Sequence, residues 1–312
     1  MNRPTRPTKL SRRAALAGAA AAALALRAKS LLAQETEGGA AMRGKTALVT
    51  GSTDGLGREV AGRLAGLGAT VIVHGRNRER GAAVVEAIEA QGRGSAVFYP
   101  ADFASLDEVR RLAERVRASH ERLDLLVNNA GIWTEDGDSS RRTSGDGHEL
   151  VLAVNYLSGY LLTHLLLPLL ERSAPARVVN VASAAQQPID FENVMLTEGF
   201  SASRAYAQSK LAQVMLTFDL ARELPAGRVT VNSLHPATLM NTSMVAEAGA
   251  APRSTVAEGA EAVMQLAVSP ELEGRSGLYF NGLNEARANA QAYDEEARAK
   301  LRALSRELTG AG

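Results

Sequence analysis

Short apolar runs alternate with amphipathic stretches from residue 45 onward. Seven of these runs predict β-strands: Thr46–Thr50, Thr70–His74, Ala96–Tyr99, Leu123–Asn128, Arg177–Val181, Val229–Leu234 and Gly277–Phe280. They are apolar almost throughout, which is typical of strands that helices cover on both faces. Between the strands, apolar residues recur at helical spacing, as at Leu106, Val109, Leu112 and Val116.

Helix signals complete this alternation. Ser105 and Glu108 have the spacing of a capping box, and Glu296 and Lys300 have the i, i+4 spacing of an ion pair on a last helix. The pattern predicts an α/β fold of the Rossmann type, with a doubly wound, seven-stranded, mostly parallel sheet and helices on both faces. We expect a single domain over residues 42–285, followed by a C-terminal helical extension over residues 286–312.

Two segments depart from the alternation, Thr134–Gly147 and Ala237–Ser254. In a doubly wound sheet, ligands bind outside the carboxyl ends of the strands. Both segments follow predicted strands at that edge, so we expect them to rim a pocket.

A glycine-rich loop follows the first predicted strand and leads into an amphipathic helix. Its candidate cofactor contacts are Gly51, Ser52, Thr53, Asp54, Gly55, Leu56 and Gly57. Glycines let the backbone turn tightly, and a helix N-terminus presents free N–H groups to a pyrophosphate. The strand–loop–helix context favours dinucleotide binding, and a glycine-rich turn without a ligand is the alternative.

The second predicted strand is followed by Gly75-Arg76-Asn77. A carboxylate there would bind the ribose hydroxyls and repel a 2′-phosphate, but none is present. Arg76 can instead pair with that phosphate through a charge-assisted hydrogen bond. We therefore predict NADP as the cofactor in preference to NAD, with a solvated surface charge as the alternative role of Arg76.

Composition narrows the classes of partner. Of the 312 residues, 46% are apolar and 22% charged, which argues against a disordered chain or a fibrous repeat. Residues 1–33 carry seven basic and no acidic side chains, which leaves 28 basic against 34 acidic residues and a charge of −6 on the remainder. Attraction to nucleic acid is therefore not expected. The absence of cysteine excludes disulfides and thiolate metal sites, and His148 and His235 lack a metal-binding motif.

The N-terminal residues form a separate segment. Residues 1–13 are basic and end in Ser11-Arg12-Arg13, and the alanine-rich apolar run over residues 14–26 is too short for a membrane span. The segment resembles a signal peptide, and its paired arginines resemble a twin-arginine export signal. We expect residues 1–41 to be a signal peptide or a disordered extension, and the protein to be periplasmic without a stable membrane span. The alternative is a cytoplasmic protein with an uncleaved extension.

With these motifs on the chain, residues 44–282 resemble the short-chain dehydrogenase/reductases. Thr50–Gly57 has the family's glycine spacing, and Asn128-Asn129-Ala130-Gly131 matches the motif that closes the fourth strand. Within the family, three segments resemble the retinol-dehydrogenase-like and protochlorophyllide-reductase-like branch: Thr143–Asn155, His235-Pro236 and Tyr279–Gly282.

The resemblance implies the site. The catalytic tetrad would be Asn155, Ser183, Tyr206 and Lys210. Further cofactor contacts would be Asp102 (to the adenine), Asn128, Ala130, Gly131, Tyr206, Lys210, Pro236 and Thr238. Ala237 stands where the family usually has glycine, and Thr238 and Thr242 both remain candidates for the threonine at the nicotinamide.

The residue types suit this chemistry. Tyr206 and Lys210 are four apart and so share a helix face, where a nearby ammonium would lower the pKa of the tyrosine. Tyr206 would then exchange a proton with the substrate oxygen, and Ser183 would hydrogen-bond the same oxygen. In the family, Asn155 shapes its helix and orders a water. Singly, the Tyr–Lys pair can arise by chance, and Ser183 can be a helix cap.

These features predict an NADP-dependent oxidoreductase that interconverts a carbonyl and an alcohol without a metal. Trp133 would line an apolar pocket or pack against a loop, and Met240, Met244 and Val245 would form a lid or an exposed partner patch. A lipophilic ketone or aldehyde is the expected substrate. Reduction of an activated C=C bond is one alternative, and a non-catalytic NADP-binding sensor is another. The resemblance also implies a homodimer or homotetramer.

Overall fold

Parallel strands form the centre of the molecule, as a computed structural model of residues 41–133 and 140–311 shows. The eight strands are β1 (Thr46–Val49), β2 (Thr70–Gly75), β3 (Ser95–Pro100), β4 (Leu125–Asn128), β5 (Ala176–Val181), β6 (Val229–His235), β7 (Tyr279–Asn281) and β8 (Asn284–Glu285). Their order in the sheet is β3-β2-β1-β4-β5-β6-β7-β8. The order reverses beside β1, and ligands bind at such a switch point in doubly wound folds.

The sheet has one strand more than the seven predicted. β8 contains two exposed polar residues and pairs antiparallel to β7, whereas all the other pairs are parallel. A two-residue polar edge strand has no apolar pattern, so hydrophobic periodicity does not detect it. The predicted Rossmann-type fold is otherwise confirmed.

The described part of the chain contains eight helices, and seven of them contribute residues to the two apolar cores of the sheet. They are α1 (Gly55–Gly66), α2 (Arg78–Glu89), α3 (Leu106–Ser119), α4 (Leu150–Arg172), α5 (Ala202–Glu223), α6 (Ser243–Glu247), α7 (Val256–Val268) and α8 (Glu295–Thr309). Short 3₁₀ turns cover Pro270–Leu272 and Ala290–Tyr293. Residues of α1, α2 and α7 share one apolar core with the sheet, and residues of α3, α4, α5 and α8 share the other.

Alternating side chains of each strand enter the two cores. Leu48 packs toward α3 and α4, while its neighbours Ala47 and Val49 pack toward α1 and α7. All three are fully buried, which explains why the strand is apolar at every position. Complete burial of such a side chain contributes about 1.5–3 kcal/mol.

α4 is long and apolar enough to cross a membrane by length and composition, but most of it is buried inside the protein. It changes geometry along its length: Ala153–Leu157 is a π-helical turn, and Ser158–Arg172 is α-helical. π-helical turns are often found at functional sites. This one contains Asn155.

The predicted capping box is only half formed. The Ser105 hydroxyl accepts a hydrogen bond from the Glu108 N–H, as expected. The Glu108 carboxylate, however, accepts from the Asp102 N–H at 2.6 Å. A complete capping box occurs at the start of α7, between Thr255 and Glu258.

The C-terminal helix α8 packs on α5, the helix that contains the predicted catalytic residues Tyr206 and Lys210. Arg298 Nε lies 2.8 Å from Asp219 Oδ1, and Arg302 NH1 lies 2.6 Å from Asp219 Oδ2. Arg298 and Asp219 are both buried, so each needs the other. On the exposed side of α8, the predicted ion pair is confirmed, with Lys300 Nζ 2.9 Å from Glu296 Oε1. Residues 42–312 form one compact unit, and the signal segment predicted over residues 1–41 lies, except for Ala41, outside the described residues.

Candidate active site

The carboxyl edge of the sheet brings most of the predicted site residues together. The glycine loop follows β1, Arg76 follows β2, and Asp102 lies just beyond β3. Gly131 and Ser183 follow the next two strands in the sheet. One edge thus carries both the predicted cofactor contacts and the predicted catalytic groups.

Close backbone contacts make glycine necessary at two positions of the loop. Gly51 has a φ of +64°, and a Cβ atom there would lie 2.8 Å from the Ala130 Cα. A Cβ atom on Gly57 would lie 2.3 Å from the Gly51 carbonyl oxygen. Both distances are shorter than a carbon atom tolerates, so the loop can only close onto the start of α1 with glycine.

Asn129 holds this loop, although it is not among the predicted contacts. Its side-chain N–H₂ donates to the Thr50 carbonyl at 2.8 Å and to the Gly51 carbonyl at 3.1 Å. The Thr50 hydroxyl accepts from the backbone N–H groups of Asn129 and Ala130, each at 3.0 Å. The end of β4 is therefore fastened to the loop after β1.

Asn128, which was predicted as a cofactor contact, has its side chain in the core. Its N–H₂ donates to Thr163 and to Asn180, both at 2.9 Å. Asn128 is the last residue of β4 and binds inward, whereas Asn129, the first residue after the strand, binds the loop.

Two other loop residues also serve the loop itself. The buried Ser52 hydroxyl donates to the Val49 carbonyl at 2.7 Å. Asp54 is the N-cap of α1 and accepts from the Gly55 N–H and the Ser243 hydroxyl. These hydrogen bonds, led by that of Ser243, lower the pKa of Asp54 despite its partial burial. Thr53 borders Gly75, where a Cβ atom would lie 2.7 Å from the Thr53 methyl carbon.

His74, at the end of β2, contacts the loop in three ways and was not predicted. Its backbone carbonyl accepts from the Ser52 N–H at 2.8 Å, and its N–H donates to the Ser52 hydroxyl at 3.0 Å. Its ring Nδ1 lies 3.1 Å from the Gly51 nitrogen, and Nε2 lies 3.2 Å from the Ala101 carbonyl oxygen. A histidine at the end of a strand gives no sequence signal that distinguishes it from other strand residues.

Arg76 and Asp102 lie beyond the loop. The Arg76 side chain is 70% exposed, and its guanidinium lies 4.0 Å from the Asp102 carboxylate. Asp102 Oδ1 accepts from the Ala104 N–H at 3.0 Å, which fixes the turn after β3. The two side chains are therefore neighbours at the solvent-open end of the edge, and Arg76 is free to turn toward an anionic group.

The four predicted catalytic residues come together around the start of α5. Ser201 caps this helix, and Tyr206 and Lys210 share the face that meets the sheet edge. Lys210 Nζ lies 5.5 Å from the centre of the Tyr206 ring. It donates to the Val181 carbonyl and to Gln213 Oε1, both at 2.9 Å. Burial lowers the pKa of the Lys210 ammonium to about 7.

The expectation that Lys210 lowers the pKa of Tyr206 does not hold in this structure. Burial raises the pKa of the Tyr206 phenol above its ordinary value, and a hydrogen bond with Ser183 opposes that shift. The phenol is consequently protonated at neutral pH. Sequence spacing predicts the pairing of Tyr206 and Lys210 but carries no information about how deeply either is buried.

Ser183 lies directly after β5 and is oriented by its neighbours. Its hydroxyl oxygen accepts from the Ala185 N–H at 3.1 Å. Its carbonyl oxygen accepts from the Tyr279 hydroxyl at 3.0 Å and from Gln186 Nε2 at 2.7 Å. The Ser183 hydroxyl is also the group that hydrogen-bonds Tyr206.

Asn155 connects the π-helical turn to the rest of the site. Its Oδ1 accepts from the Ile132 N–H at 2.7 Å, and its N–H₂ donates to the Ile132 carbonyl at 3.1 Å and to the Ser209 hydroxyl at 3.0 Å. It therefore links the segment after β4 to α5. Gly131 fits between them, since a Cβ atom there would lie 3.3 Å from Asn155 Oδ1 and 3.5 Å from Lys210 Nζ.

The segment after β6 separates the two candidate threonines. Thr238 Oγ1 lies 3.0 Å from His235 Nε2, next to the buried Pro236. Thr242 caps α6 and lies beside the glycine loop, 3.1 Å from where a Cβ atom of Gly55 would be. Leu239 between them has a φ of +49°, an unfavourable conformation for a branched side chain that is often retained at functional sites.

The apolar residues predicted to line a pocket differ in position. Trp133 packs on Tyr206 with ring centres 5.7 Å apart, so it borders the catalytic tyrosine candidate. Met240 packs against the core on the α1 and α7 side, and Val245 is buried, so the predicted lid turns these two side chains inward. Of the polar stretch Thr134–Gly147 that was predicted to rim the pocket, residues 134–139 lie outside the described residues.

Comparison with known proteins identifies the family of this chain. A family model described as short chain dehydrogenase matches residues 45–253. The chain belongs to the short-chain dehydrogenase family. It is 36% identical over 294 residues to retinol dehydrogenase 14 of Mus musculus, covering 86% of this chain and 87% of that protein. It is 39% identical over 289 residues to polyprenol dehydrogenase of Mus musculus, covering 86% of this chain and 85% of that protein.

A solved structure supports the same assignment. The short chain dehydrogenase of Shigella flexneri 2a str. 301, solved in complex with NADP, superposes with a TM-score of 0.65 at 27% identity, covering 78% of this chain and 99% of that one. The protein is thus an oxidoreductase of the short-chain dehydrogenase family that acts on CH–OH or C=O groups. Within residues 41–133 and 140–311, no group of three acidic, histidine or cysteine side chains is placed to hold a metal ion.

Proposed function

We propose that this oxidoreductase uses NADP and interconverts a lipophilic ketone or aldehyde with its alcohol, with Tyr206 as the general acid and base. The observation that carries the proposal is the meeting of Ser183, Tyr206 and Lys210 at the edge where the glycine loop opens. General acid–base catalysis needs a proton donor beside the reacting oxygen, and this edge supplies one next to a dinucleotide cradle.

The chain's residues fit the cofactor. The close contacts at Gly51 and Gly57 leave no room for side chains, so a cofactor at these positions would meet only backbone atoms. The Gly55 N–H donates to the Asp54 side chain. The other N–H groups of the first turn of α1 have no acceptor within the helix and favour an anion such as the pyrophosphate. Arg76 is exposed beside Asp102 and would hold the 2′-phosphate, and NADP in the Shigella flexneri relative is consistent with this choice. Lys210 would hold the nicotinamide ribose.

Bound NADPH would supply a hydride to the carbonyl carbon. Ser183 would donate a hydrogen bond to the carbonyl oxygen, and Tyr206 would donate its proton to the same oxygen as negative charge develops there. The raised pKa of Tyr206 keeps that proton available at neutral pH. In the reverse direction Tyr206 must first lose its proton, and a protonated Lys210 would assist that loss.

Asn155 would position this machinery. Its hydrogen bonds to Ile132 and Ser209 fix the distance between the segment after β4 and α5. Trp133 against Tyr206 supplies an apolar wall. Together with the names of the retinol and polyprenol dehydrogenase relatives, this wall supports a lipophilic substrate.

The test uses protein that begins at residue 42. NADPH oxidation is followed at 340 nm with a panel of long-chain aldehydes, aromatic ketones and activated alkenes, and with NADH in parallel. We expect turnover of carbonyl compounds with NADPH and much weaker turnover with NADH. Turnover of the alkenes alone would replace the proposed reaction with C=C reduction. Tight NADPH binding that loses nothing in Tyr206→Phe, with no turnover, would indicate a sensor.

We further propose that the protein is exported through its N-terminal segment. The support is the basic start, the paired arginines and the alanine-rich run in residues 1–26. Fractionation of cells that produce the full chain tests this proposal, with Arg12→Lys together with Arg13→Lys as the matched variant. Wild-type protein that stays wholly cytoplasmic and unprocessed would contradict it.

A further inference from the structure

His74 is a buried imidazole between two parts of the cofactor edge. It lies in β2, is 2% exposed, and stacks on Phe103 with ring centres 4.2 Å apart. One ring nitrogen faces the Gly51 N–H and the other faces the Ala101 carbonyl. The ring therefore touches the glycine loop on one side and the residue before Asp102 on the other.

The partners of the ring define its tautomer. The Gly51 N–H can only donate, so Nδ1 must be the unprotonated acceptor. The Ala101 carbonyl can only accept, so Nε2 must carry the hydrogen. A doubly protonated ring would oppose one N–H to another at Gly51. Burial lowers the pKa of His74 to about 4 although the Asp102 charge opposes that shift, so the ring is neutral at pH 7.

We infer that His74 is a positioning residue for the dinucleotide, setting the separation between the pyrophosphate loop and the adenine-side segment through its two ring hydrogen bonds. This inference rests on the proposed binding of NADP at the glycine loop. Gly51 begins the loop and Ala101 precedes Asp102. One rigid ring therefore bridges the two ends of the expected adenosine diphosphate site through its two hydrogen bonds. His74 does not touch Tyr206 or Lys210 in any described hydrogen bond, and its effect should fall on cofactor affinity rather than on the chemical step.

Three substitutions separate the contacts of the ring. His74→Asn keeps an acceptor near the Nδ1 position, His74→Gln keeps a donor near the Nε2 position, and His74→Leu fills a similar volume with neither. His164→Leu is the matched control, because the only hydrogen bond of the His164 ring among the described residues is to the Tyr160 carbonyl within α4. The dissociation constant of NADP⁺ is measured by calorimetry, together with the melting temperature, and kcat is measured at saturating cofactor.

We expect His74→Leu to weaken NADP⁺ binding by about tenfold or more, because the two hydrogen bonds that hold the loop and the Ala101 segment in their binding positions are lost. His74→Asn and His74→Gln should lie between it and the wild type, and His164→Leu should bind normally. kcat at saturation should stay within about twofold of the wild type, because a positioning residue of this kind does not enter the chemical step. ¹⁵N NMR of the wild type should show Nε2 protonated and Nδ1 unprotonated at pH 7.

The outcomes separate this inference from the proposed function. A wild type that binds neither NADP⁺ nor NAD⁺ overturns both. A wild type that binds NADP⁺, with a His74→Leu variant that melts lower but binds equally well, overturns only the role of His74. If His74→Leu does not fold, the NMR spectrum and the His74→Asn affinity decide, and a ring protonated at Nδ1 overturns the inference.

Discussion

The glycine loop after β1 and the face of α5 that carries Tyr206 and Lys210 lie at the same sheet edge but are built in different ways. The loop is held by backbone contacts and by the absence of side chains, as the close approaches at Gly51 and Gly57 show. The face of α5 instead carries two buried ionisable side chains. Burial disfavours the charged form of each, so it lowers the pKa of Lys210 and raises the pKa of Tyr206. Substitutions in the loop should therefore act through geometry, and substitutions on α5 through protonation.

The largest effect should come from Tyr206→Phe. Removing the hydroxyl takes away the proposed proton donor, and we expect kcat to fall by about 10²–10⁴-fold. NADPH affinity and melting temperature should remain close to those of the wild type, because the ring and its packing on Trp133 are kept. Steady-state kinetics measure the loss, and Tyr293→Phe, at an exposed tyrosine, is the control. Full activity in Tyr206→Phe would refute the division between geometry and protonation.

The second effect is a dependence of stability on pH that Lys210 should cause. Its pKa is 10.5 in the unfolded chain and about 7 in the fold, so between these values the unfolded chain binds an additional proton. The free energy of unfolding should therefore rise with pH across this window, by up to about 1.4 kcal/mol per pH unit. Lys210→Met should remove that slope.

Urea unfolding of the cofactor-free protein at pH 7.5 and pH 9.5 measures this slope. Lys300→Met serves as the control, because Lys300 is on the exposed side of α8. An equal slope in the wild type and in Lys210→Met would show that Lys210 keeps its proton in the folded state.

Gly57→Ala tests the loop with a smaller expected effect. The added Cβ atom would lie 2.3 Å from the Gly51 carbonyl oxygen and 2.5 Å from Asn129 Nδ2. We expect a loss of about 1–3 kcal/mol in unfolding free energy, as for overpacked sites, together with weaker NADP⁺ binding. Gly62→Ala is the matched control in the same helix, because its nearest neighbour would be 3.8 Å away. That variant should be more stable by up to about 1 kcal/mol.

The smallest effect should come from Arg76→Ala. Its side chain is exposed, so its removal should leave the melting temperature unchanged. NADP⁺ binding should weaken by about tenfold, which is typical for the loss of one charge-assisted hydrogen bond, while NAD⁺ binding stays the same. Parallel titrations with the two cofactors measure the difference. Arg93→Ala is the control, because Arg93 is an exposed arginine between α2 and β3. Equal weakening for both would assign Arg76 to the loop and not to the 2′-phosphate.

The sequence predicts the parts of this site that depend on residue type and spacing. Buried strands are apolar throughout, and the glycine spacing reflects contacts that exclude a Cβ atom. The sequence does not predict which of Asn128 and Asn129 faces the loop. The strand before them is buried on both faces, so it shows no alternation of polar and apolar residues that would indicate which way each side chain points. His74 is missed because its partners are a backbone N–H and a backbone carbonyl from two other segments. The raised pKa of Tyr206 is missed because burial depends on the whole fold.

The pairing of Asp219 with α8 has a consequence for biosynthesis. Asp219 is on the same helix as Tyr206 and Lys210, and its partners Arg298 and Arg302 belong to the last helix of the described chain. During translation Asp219 is therefore made about eighty residues before the cations that neutralise it, and chains fold progressively as they are made. Helix α5 reaches its final stability only when α8 has left the ribosome, so translation products that stop before α8 should not accumulate as active enzyme.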